Sequence, residues 1–450
     1  MQGKSKKVCM FVLNPCTNDA RVLKEADTLG RAGYDVKIIA IVSKDVSNFM
    51  EKKENFTIYR VKLTTLHMKH VLNEVKKGIK NIIIRIRLRF RRALKANHEE
   101  KRTGLKKSIN CVYPFSSSEK IIGHPVKTIL RKFYRTIAYL SYWIKAKRLA
   151  VSFKADVYHA HDLTTLLPAY WAAKKIGSKV VYDSHELYSE RNTMLKESVF
   201  SKWLIKKFES FLIRRVNTVI TVNQSIASEL SKLYDVPVPF TVMNCPPYQE
   251  SIRNNLLREK LQLNGNIKII LYLGAITFNR GLEESISAMK EVNDSCLVLL
   301  GYGKSEYILS LKEIAASLSV ENKVYFIPPV PYEEVVMYAS SADIGLVPIK
   351  NVCKSYYYCS PNKLFESMMA GLPIAASDLP ELRRVIEETK CGYLFNSADP
   401  SSIASAINNI IYNEGASEEM RRNALQHAHK YSWENEKGKL LSIYDRLFTE

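Results

Sequence analysis

Residues 344–376 read IGLVPIKNVCKSYYYCSPNKLFESMMAGLPIAA. Ile344–Val347 is a short, wholly apolar run of the kind a buried parallel strand needs, and Pro373–Ala376 is a second. Between them Ser360 suits an N-cap and Pro361 a first helical position, while Leu364/Met368 and Phe365/Met369 form i, i+4 apolar pairs over Asn362–Ala370. The stretch is a strand–helix–strand unit, which dictates a parallel sheet with crossover helices.

The same alternation runs outward from this unit. Upstream lie strand Ile267–Leu273, helix Leu282–Val292, strand Cys296–Leu300, helix Ser305–Leu318, strand Val324–Ile327 and helix Glu333–Ala339. A separate series occupies the N-terminal half: strand Lys7–Leu13, a helix capped by Asp19 with Val22, Leu23, Ala26 and Leu29 on one face and closed by Gly33, and strand Val36–Ile41. Strands at Asp156–His159, Lys179–Tyr182 and Thr218–Val222 follow, with helix Leu163–Ile176 among them. Pro237, Pro239, Pro246 and Pro247 interrupt the pattern and mark a linker. The expectation is an α/β protein of two doubly wound domains, 1–240 and 248–430, with a last helix in 431–450 crossing back to the first.

Charge is unevenly distributed. Between Lys69 and Arg148 there are 22 Lys/Arg against four acids, so +18 of the chain's net +22 sits in one segment. Ile79, Ile83, Ile86, Phe90 and Leu94 make a helical stripe there with Arg85, Arg89 and Arg92 opposite, although Ile84–Arg91 also alternates as a strand would. A cationic amphipathic helix of this kind suits an anionic membrane surface at about 1 kcal/mol per basic residue; a solvated insertion on the first domain is the plainer reading, and nucleic acid is not expected. No apolar run approaches a membrane span. Eight scattered cysteines without a C-x-x-C pair fit a reduced, cytoplasmic setting, peripheral to the membrane if the basic segment docks.

The chemistry-bearing residues cluster after strands. The helix entered at Asn362 offers free N–H groups and a positive dipole end beside Lys363, an arrangement suited to a diphosphate, with Ser360 at its mouth. Glu366, one turn further in, would repel phosphate but accept hydrogen bonds from ribose or sugar hydroxyls. Gly274 and Arg280 open another helix, Gly274 allowing close backbone approach and Arg280 bidentate phosphate contact. Gly301 and Gly303 follow a third strand; with Leu364 they are assigned to the donor nucleotide or sugar. In the first half, His159, His161 and Asp162 end one strand and His185 and Glu186 the next, so both groups should face one crevice. His159, His161 and His185 have too few companion ligands for a metal centre.

Taken together these stretches resemble family 4 glycosyltransferases of the bacterial surface-polysaccharide subgroup, over nearly the whole length. The matching motifs are Asp19–Ala26, the run from Ala155 through His161-Asp162 to Asp183-Ser184-His185-Glu186, Tyr272-Leu273-Gly274 to Arg280-Gly281-Leu282-Glu283, and Ser360–Pro373. The resemblance implies a GT-B fold of two facing Rossmann-like domains and a retaining, metal-independent, hexosyl-type transfer from a nucleotide-sugar, with no cofactor, to a glycan or lipid-linked acceptor. It implies that His161 contacts the donor sugar, that Glu366 binds hydroxyls, and that Arg280, Lys363 and the helix N-terminus neutralise the departing diphosphate. Asn18, Asp162, His185 and Glu186 fall on the acceptor side. Two departures stand out: Tyr358 occupies the first acidic place of the family's Glu-x7-Glu motif, and Ala275 stands where an Arg is usual. A nucleotide-sugar epimerase of the same architecture and a non-catalytic membrane adaptor are the rival readings.

Overall fold

The computed structural model describes residues 5–17, 19–64 and 118–449, the side chains of 118–133 excepted. Asn18 and residues 69–117 of the basic segment therefore lie outside the described residues.

The chain builds two sheets. The first, in the order β3-β4-β2-β1-β5-β6-β7-β8, comprises Lys7–Phe11 (β1), Asp35–Ile41 (β2), Met50–Lys52 (β3), Phe56–Val61 (β4), Val157–His161 (β5), Lys179–Ser184 (β6), Thr218–Thr221 (β7) and Phe240–Thr241 (β8). All its pairings are parallel except β3 with β4, which makes an edge hairpin. The second is wholly parallel in the order β11-β10-β9-β12-β13-β14: Lys268–Leu273 (β9), Ser295–Leu300 (β10), Val324–Ile327 (β11), Ile344–Val347 (β12), Ile374–Ser377 (β13) and Gly392–Phe395 (β14). In each sheet the order reverses beside the first strand, β1 or β9, and that switch point opens a crevice at the strand carboxyl ends.

Both sheets are covered on both faces, which is why their strands are continuous apolar runs. One face of the first packs on helices Leu163–Ile176, Val199–Ile213 and the long helix Ser118–Phe153. This helix ends the segment 69–150 that the sequence reads as a basic, helical insertion. The final turns of Ser118–Phe153 are core: Tyr142, Ala146 and Ala150 are fully buried, and the Tyr142 hydroxyl donates to the Val12 carbonyl at 3.1 Å. The opposite face is closed by helix Ala20–Arg31 and by the C-terminal helix Trp433–Thr449, whose Leu440, Ile443 and Leu447 pack with Val8, Met10, Ala26 and Leu29.

The chain thus crosses between lobes twice, once after β8 and once before Trp433. The crossings touch: the Trp433 N–H donates to the Pro246 carbonyl at 2.8 Å, and the Met243 N–H to Glu436 at 2.8 Å. The proline-rich stretch accordingly carries only a two-residue edge strand, β8, since proline cannot serve a central ladder.

Because Leu440 is wholly buried between the C-terminal helix and the first sheet, Leu440→Ala leaves a cavity there and lowers stability by about 2–5 kcal/mol. Urea denaturation followed by circular dichroism measures it.

Candidate active site between the lobes

A cleft of about 1190 Å³ separates the carboxyl ends of the two sheets, and both lobes contribute to its walls. From the second lobe come Gly274, Arg280, Gly301, Ser360, Asn362, Lys363 and Glu366; from the first, Arg21, Lys24, Asp162, His185, Glu186 and Asn244.

The helix Asn362–Met369 begins at the cleft. Its N-cap residue is Pro361, with no side-chain cap, rather than Ser360 as expected. Ser360 stays at the cleft wall, but its hydroxyl accepts from Asn223 Nδ2 of the first lobe at 2.9 Å and does not cap the helix. The first amides of the helix are thereby left without a side-chain partner, which is the condition for an anion site. Lys363 Nζ is buried, makes no hydrogen bond and lies 3.3 Å from the centroid of the Tyr272 ring. Burial, reinforced by the nearby Arg280 charge, holds this ammonium well below its ordinary pKa. Arg280 lies over the Tyr356 ring at 4.6 Å. Glu366 is pushed up to about 7 by burial, with Lys363 and Lys24 pulling the other way.

The glycines serve this wall in different ways. Gly274 adopts φ +107 beside Lys363, where another residue would be strained. A Cβ on Gly301 would lie 1.8 Å from the Gly274 carbonyl oxygen, and one on Gly303 2.7 Å from that of Ile276. Gly303 therefore allows loop to pack on loop and does not line the cleft, contrary to its assignment to the donor. Leu364 is likewise not a cleft residue, because the i, i+4 pairing that makes the helix amphipathic turns it into the second-lobe core.

On the first-lobe wall the structure separates two histidines that looked alike in sequence. His185 lines the cleft; His161 is buried beneath it, its Nδ1 3.2 Å from His185 Nε2 and its own Nε2 without a partner. His185 Nε2 donates to Asp183 at 3.0 Å, and the Asp162 carboxylate accepts the His185 N–H at 3.2 Å. Burial opposes the charge of His185, but Asp162 and Asp183 outweigh it and raise the group to about 9. His161, with fewer such partners, is pressed down by burial. Asp162 itself holds a left-handed φ of +63 at the turn out of β5, a conformation costly for a non-glycine residue and characteristic of strained functional turns.

Beneath this wall lies a group that the sequence did not reveal. Arg21 donates from Nε and Nη2 to Asp183 at 2.7 and 2.8 Å and from Nη1 to the Val242 carbonyl at 2.7 Å, and lies 3.1 Å from Glu25. Glu25, His159, His161 and Asp183 bring possible ligand atoms within 4.8 Å of one another, so the histidines do have the companions that seemed missing. The Arg21 guanidinium already lies against both Asp183 and Glu25, so its charge opposes a cation at this cluster. Arg21 and Lys24 could have been singled out as the two cations one turn apart at the start of the first crossover helix. Lys24 donates to the Cys245 carbonyl and is lowered to about 8 by burial and Arg21.

Tyr358, at the place of the missing acid, works through its backbone: its carbonyl accepts from Asn223 Nδ2 at 2.7 Å. Ser355 donates to Glu186 at 2.9 Å and Asn279 to Asn192 at 3.0 Å, so a set of polar contacts ties the lobes along the cleft.

The model for "Glycosyl transferases group 1" matches residues 254–427 and that for "Glycosyltransferase Family 4" residues 109–246. An uncharacterized glycosyltransferase of Methanocaldococcus jannaschii is 27% identical over 239 residues, covering 50% of this chain and 59% of that protein. A D-inositol 3-phosphate glycosyltransferase of Corynebacterium urealyticum is 23% identical over 312 residues, covering 65% and 72%. The solved structure of Anabaena HepE in complex with UDP and glucose superposes with a TM-score of 0.65 at 12% identity, covering 98% of this chain and all of that one (100%).

An anion entering the cleft raises the Lys363 pKa back toward its ordinary value, so nucleoside diphosphate binding takes up protons wherever the free amine is deprotonated and weakens as pH rises through that range. Titration calorimetry in buffers of different ionisation enthalpy reads this uptake, and Lys363→Ala abolishes it. Lys363→Ala and Arg280→Ala each weaken the binding by ~1–3 kcal/mol.

Proposed function

Because the chain belongs to the family 4 glycosyltransferases and has their GT-B fold, we propose that it moves a sugar from a nucleoside diphosphate held by the second lobe to an acceptor presented by the first. The observation that carries this reading is the buried amino group of Lys363, with no hydrogen-bond partner among the described residues, at the uncapped start of the Asn362 helix, with Arg280 on the same cleft wall. Negative charge grows on the leaving diphosphate as its bond to the sugar breaks, and fixed donors in a desolvated site stabilise that charge most effectively. Gly274 and Gly301 bring backbone against the same region. The Glu366 carboxylate accepts hydrogen bonds from donor hydroxyls.

We infer a retaining course. Among the described residues the first-lobe groups opposite the diphosphate site are engaged: His185 is raised to about 9, Asp162 accepts the backbone N–H of His185, Glu186 accepts from Ser355, and Lys24 donates to the Cys245 carbonyl. The acceptor's proton then passes to the departing diphosphate oxygen while the new glycosidic bond forms on the face the diphosphate leaves, with Lys363 and Arg280 holding that oxygen's charge. His185 and Asp162 orient the acceptor, and His161 sets His185 from beneath. Side chains and amide dipoles meet the diphosphate's charge in this scheme, so activity persists in EDTA; its loss there, restored by a divalent cation, overturns the metal-independent reading. The acceptor we propose is a glycan or a lipid-linked saccharide, reached by a protein at the membrane surface.

Thermal shift with UDP-, GDP- and ADP-sugars identifies the donor, followed by assay of transfer with product stereochemistry. Donor isomerised without an acceptor would instead identify an epimerase. With Glu366 titrating near 7 in the free protein and needed as a carboxylate, kcat/KM rises as pH climbs through about 7. Glu366→Gln lowers kcat/KM about 100-fold and flattens that limb; an unchanged pH profile removes Glu366 from the reaction.

A further inference from the structure

Helix Val199–Ile213 is inverted relative to an ordinary surface helix. Its inward face is narrow, formed by Ile205, Phe208, Leu212 and Ile213 packed on the first-lobe core, with Glu209 held between Tyr182 and Tyr234 at 2.7 Å each. Its outward face is apolar as well. Phe200, Trp203, Leu204 and Phe211 are exposed at 66%, 51%, 47% and 51%. Their spacing of i, i+3, i+4 and i+11 puts them on one stripe, broken only by Lys207 at i+7. Such a stripe is what a helix normally buries. Phe200 and Trp203 stack at 5.9 Å, so the patch is a continuous aromatic surface.

The layer around it is basic, with Lys206 paired to Glu190 and Arg135 to Glu197 at its margin. Tyr134–Phe153, Leu163–Ile176 and Val199–Ile213 form a single helical layer, joined by Trp143 stacked on Phe208 and set edge-on to Trp171. These three stretches hold nine Lys/Arg and one acid, Glu209, which is buried. Ile144 is exposed on the same layer beside a basic groove that includes Lys147, Arg148, Lys174 and Lys175. A second copy of the chain would bring like charge against like charge. Exposed aromatics with lysines at their margin instead match an anionic bilayer, where rings enter the headgroup region and ammonium groups reach lipid phosphates.

We propose that the outer face of this helical layer, centred on Phe200 and Trp203, is a docking surface for an anionic lipid bilayer. The inference rests on the lipid-linked-acceptor reading for its purpose: the helix packs against the turn Tyr188–Glu190, which follows Glu186 of the cleft wall, so docking sets the acceptor side of the cleft beside the membrane. It assigns the contact to described residues outside the Lys69–Arg148 segment, except for the last turns of Ser118–Phe153.

The full-length protein is sedimented with phosphatidylcholine vesicles and with vesicles also containing phosphatidylglycerol. Binding is expected to favour the anionic vesicles. A double variant, Phe200→Glu with Trp203→Glu, loses about tenfold or more in partition. Lys202→Gln with Lys207→Gln loses several-fold on anionic vesicles and little on neutral ones. Nucleoside diphosphate affinity and transfer to a soluble acceptor analogue stay within about twofold in both variants, which also reports that they fold. Unchanged vesicle binding by both variants, equal binding to the two vesicle types, or a dimer in light scattering that the Phe200/Trp203 variant dissociates would each overturn the proposal. If soluble transfer persists while vesicle binding ignores these residues, the docking surface falls and the catalytic reading stands. If vesicle binding behaves as expected but no acceptor is glycosylated, the catalytic reading falls alone.

Discussion

The buried pairing of Arg21 with Asp183 is the constraint around which the first lobe is arranged. Arg21 rises from the first crossover helix, Asp183 ends β6, and the remaining Arg21 donor reaches Val242 at the start of the interlobe crossing. Two charges removed from water repay their desolvation only when geometry and hydrogen bonding are complete, and here both carboxylate oxygens and all three guanidinium nitrogens are used. Asp183 then has a second task, since the same Oδ2 accepts from His185. Asp183, anchor of the helix, thus also joins Asp162 in favouring the charged form of a cleft residue, while Arg21 opposes it.

The two walls of the cleft are electrostatically different for that reason. On the first-lobe side the charges already have partners: His185 meets Asp162 and Asp183, Glu186 meets Ser355 and Arg191, and Lys24 donates to Asn244 and the Cys245 carbonyl. On the second-lobe side Lys363 and Arg280 face no nearby carboxylate except Glu366, whose burial favours its neutral form. One wall is settled without a ligand and the other is not. A polyanion entering the second lobe completes a set of interactions that the protein alone leaves open, whereas a neutral acceptor meets hydrogen-bonding groups already in place.

Much of this was legible in the chain. Strand–helix alternation gave both sheets because buried parallel strands are apolar throughout, and the Ser360–Pro373 stretch exposed its helix through local capping and i, i+4 pairing. What was not legible depends on contacts distant in sequence. Nothing local distinguishes His161 from His185, since which of them reaches the cleft depends on the turn at Asp162 and on β6 alongside β5. Ser360 looks like a cap until Asn223 of the other lobe claims its hydroxyl. Leu364 and Gly303 carry the right motifs, but their roles are in packing. Glu25 became a neighbour of His159 and His161 only when the first helix lay across the sheet. Helix Val199–Ile213 shows apolar residues on nearly every side, and periodicity alone cannot say which of them stays outside.

The paired interlobe crossings have a mechanical consequence. Two adjacent covalent connections, cross-bonded through Trp433 and Pro246, behave like the two knuckles of a door hinge: they permit swing about the line joining them and resist sliding or twist. Away from the crossings the lobes are joined by side-chain contacts such as Lys354 with Glu229 and Asn223 with Tyr358 and Ser360. Swing about that line is the relative motion these connections constrain least, and it is the one that keeps the Asn362 helix opposite His185.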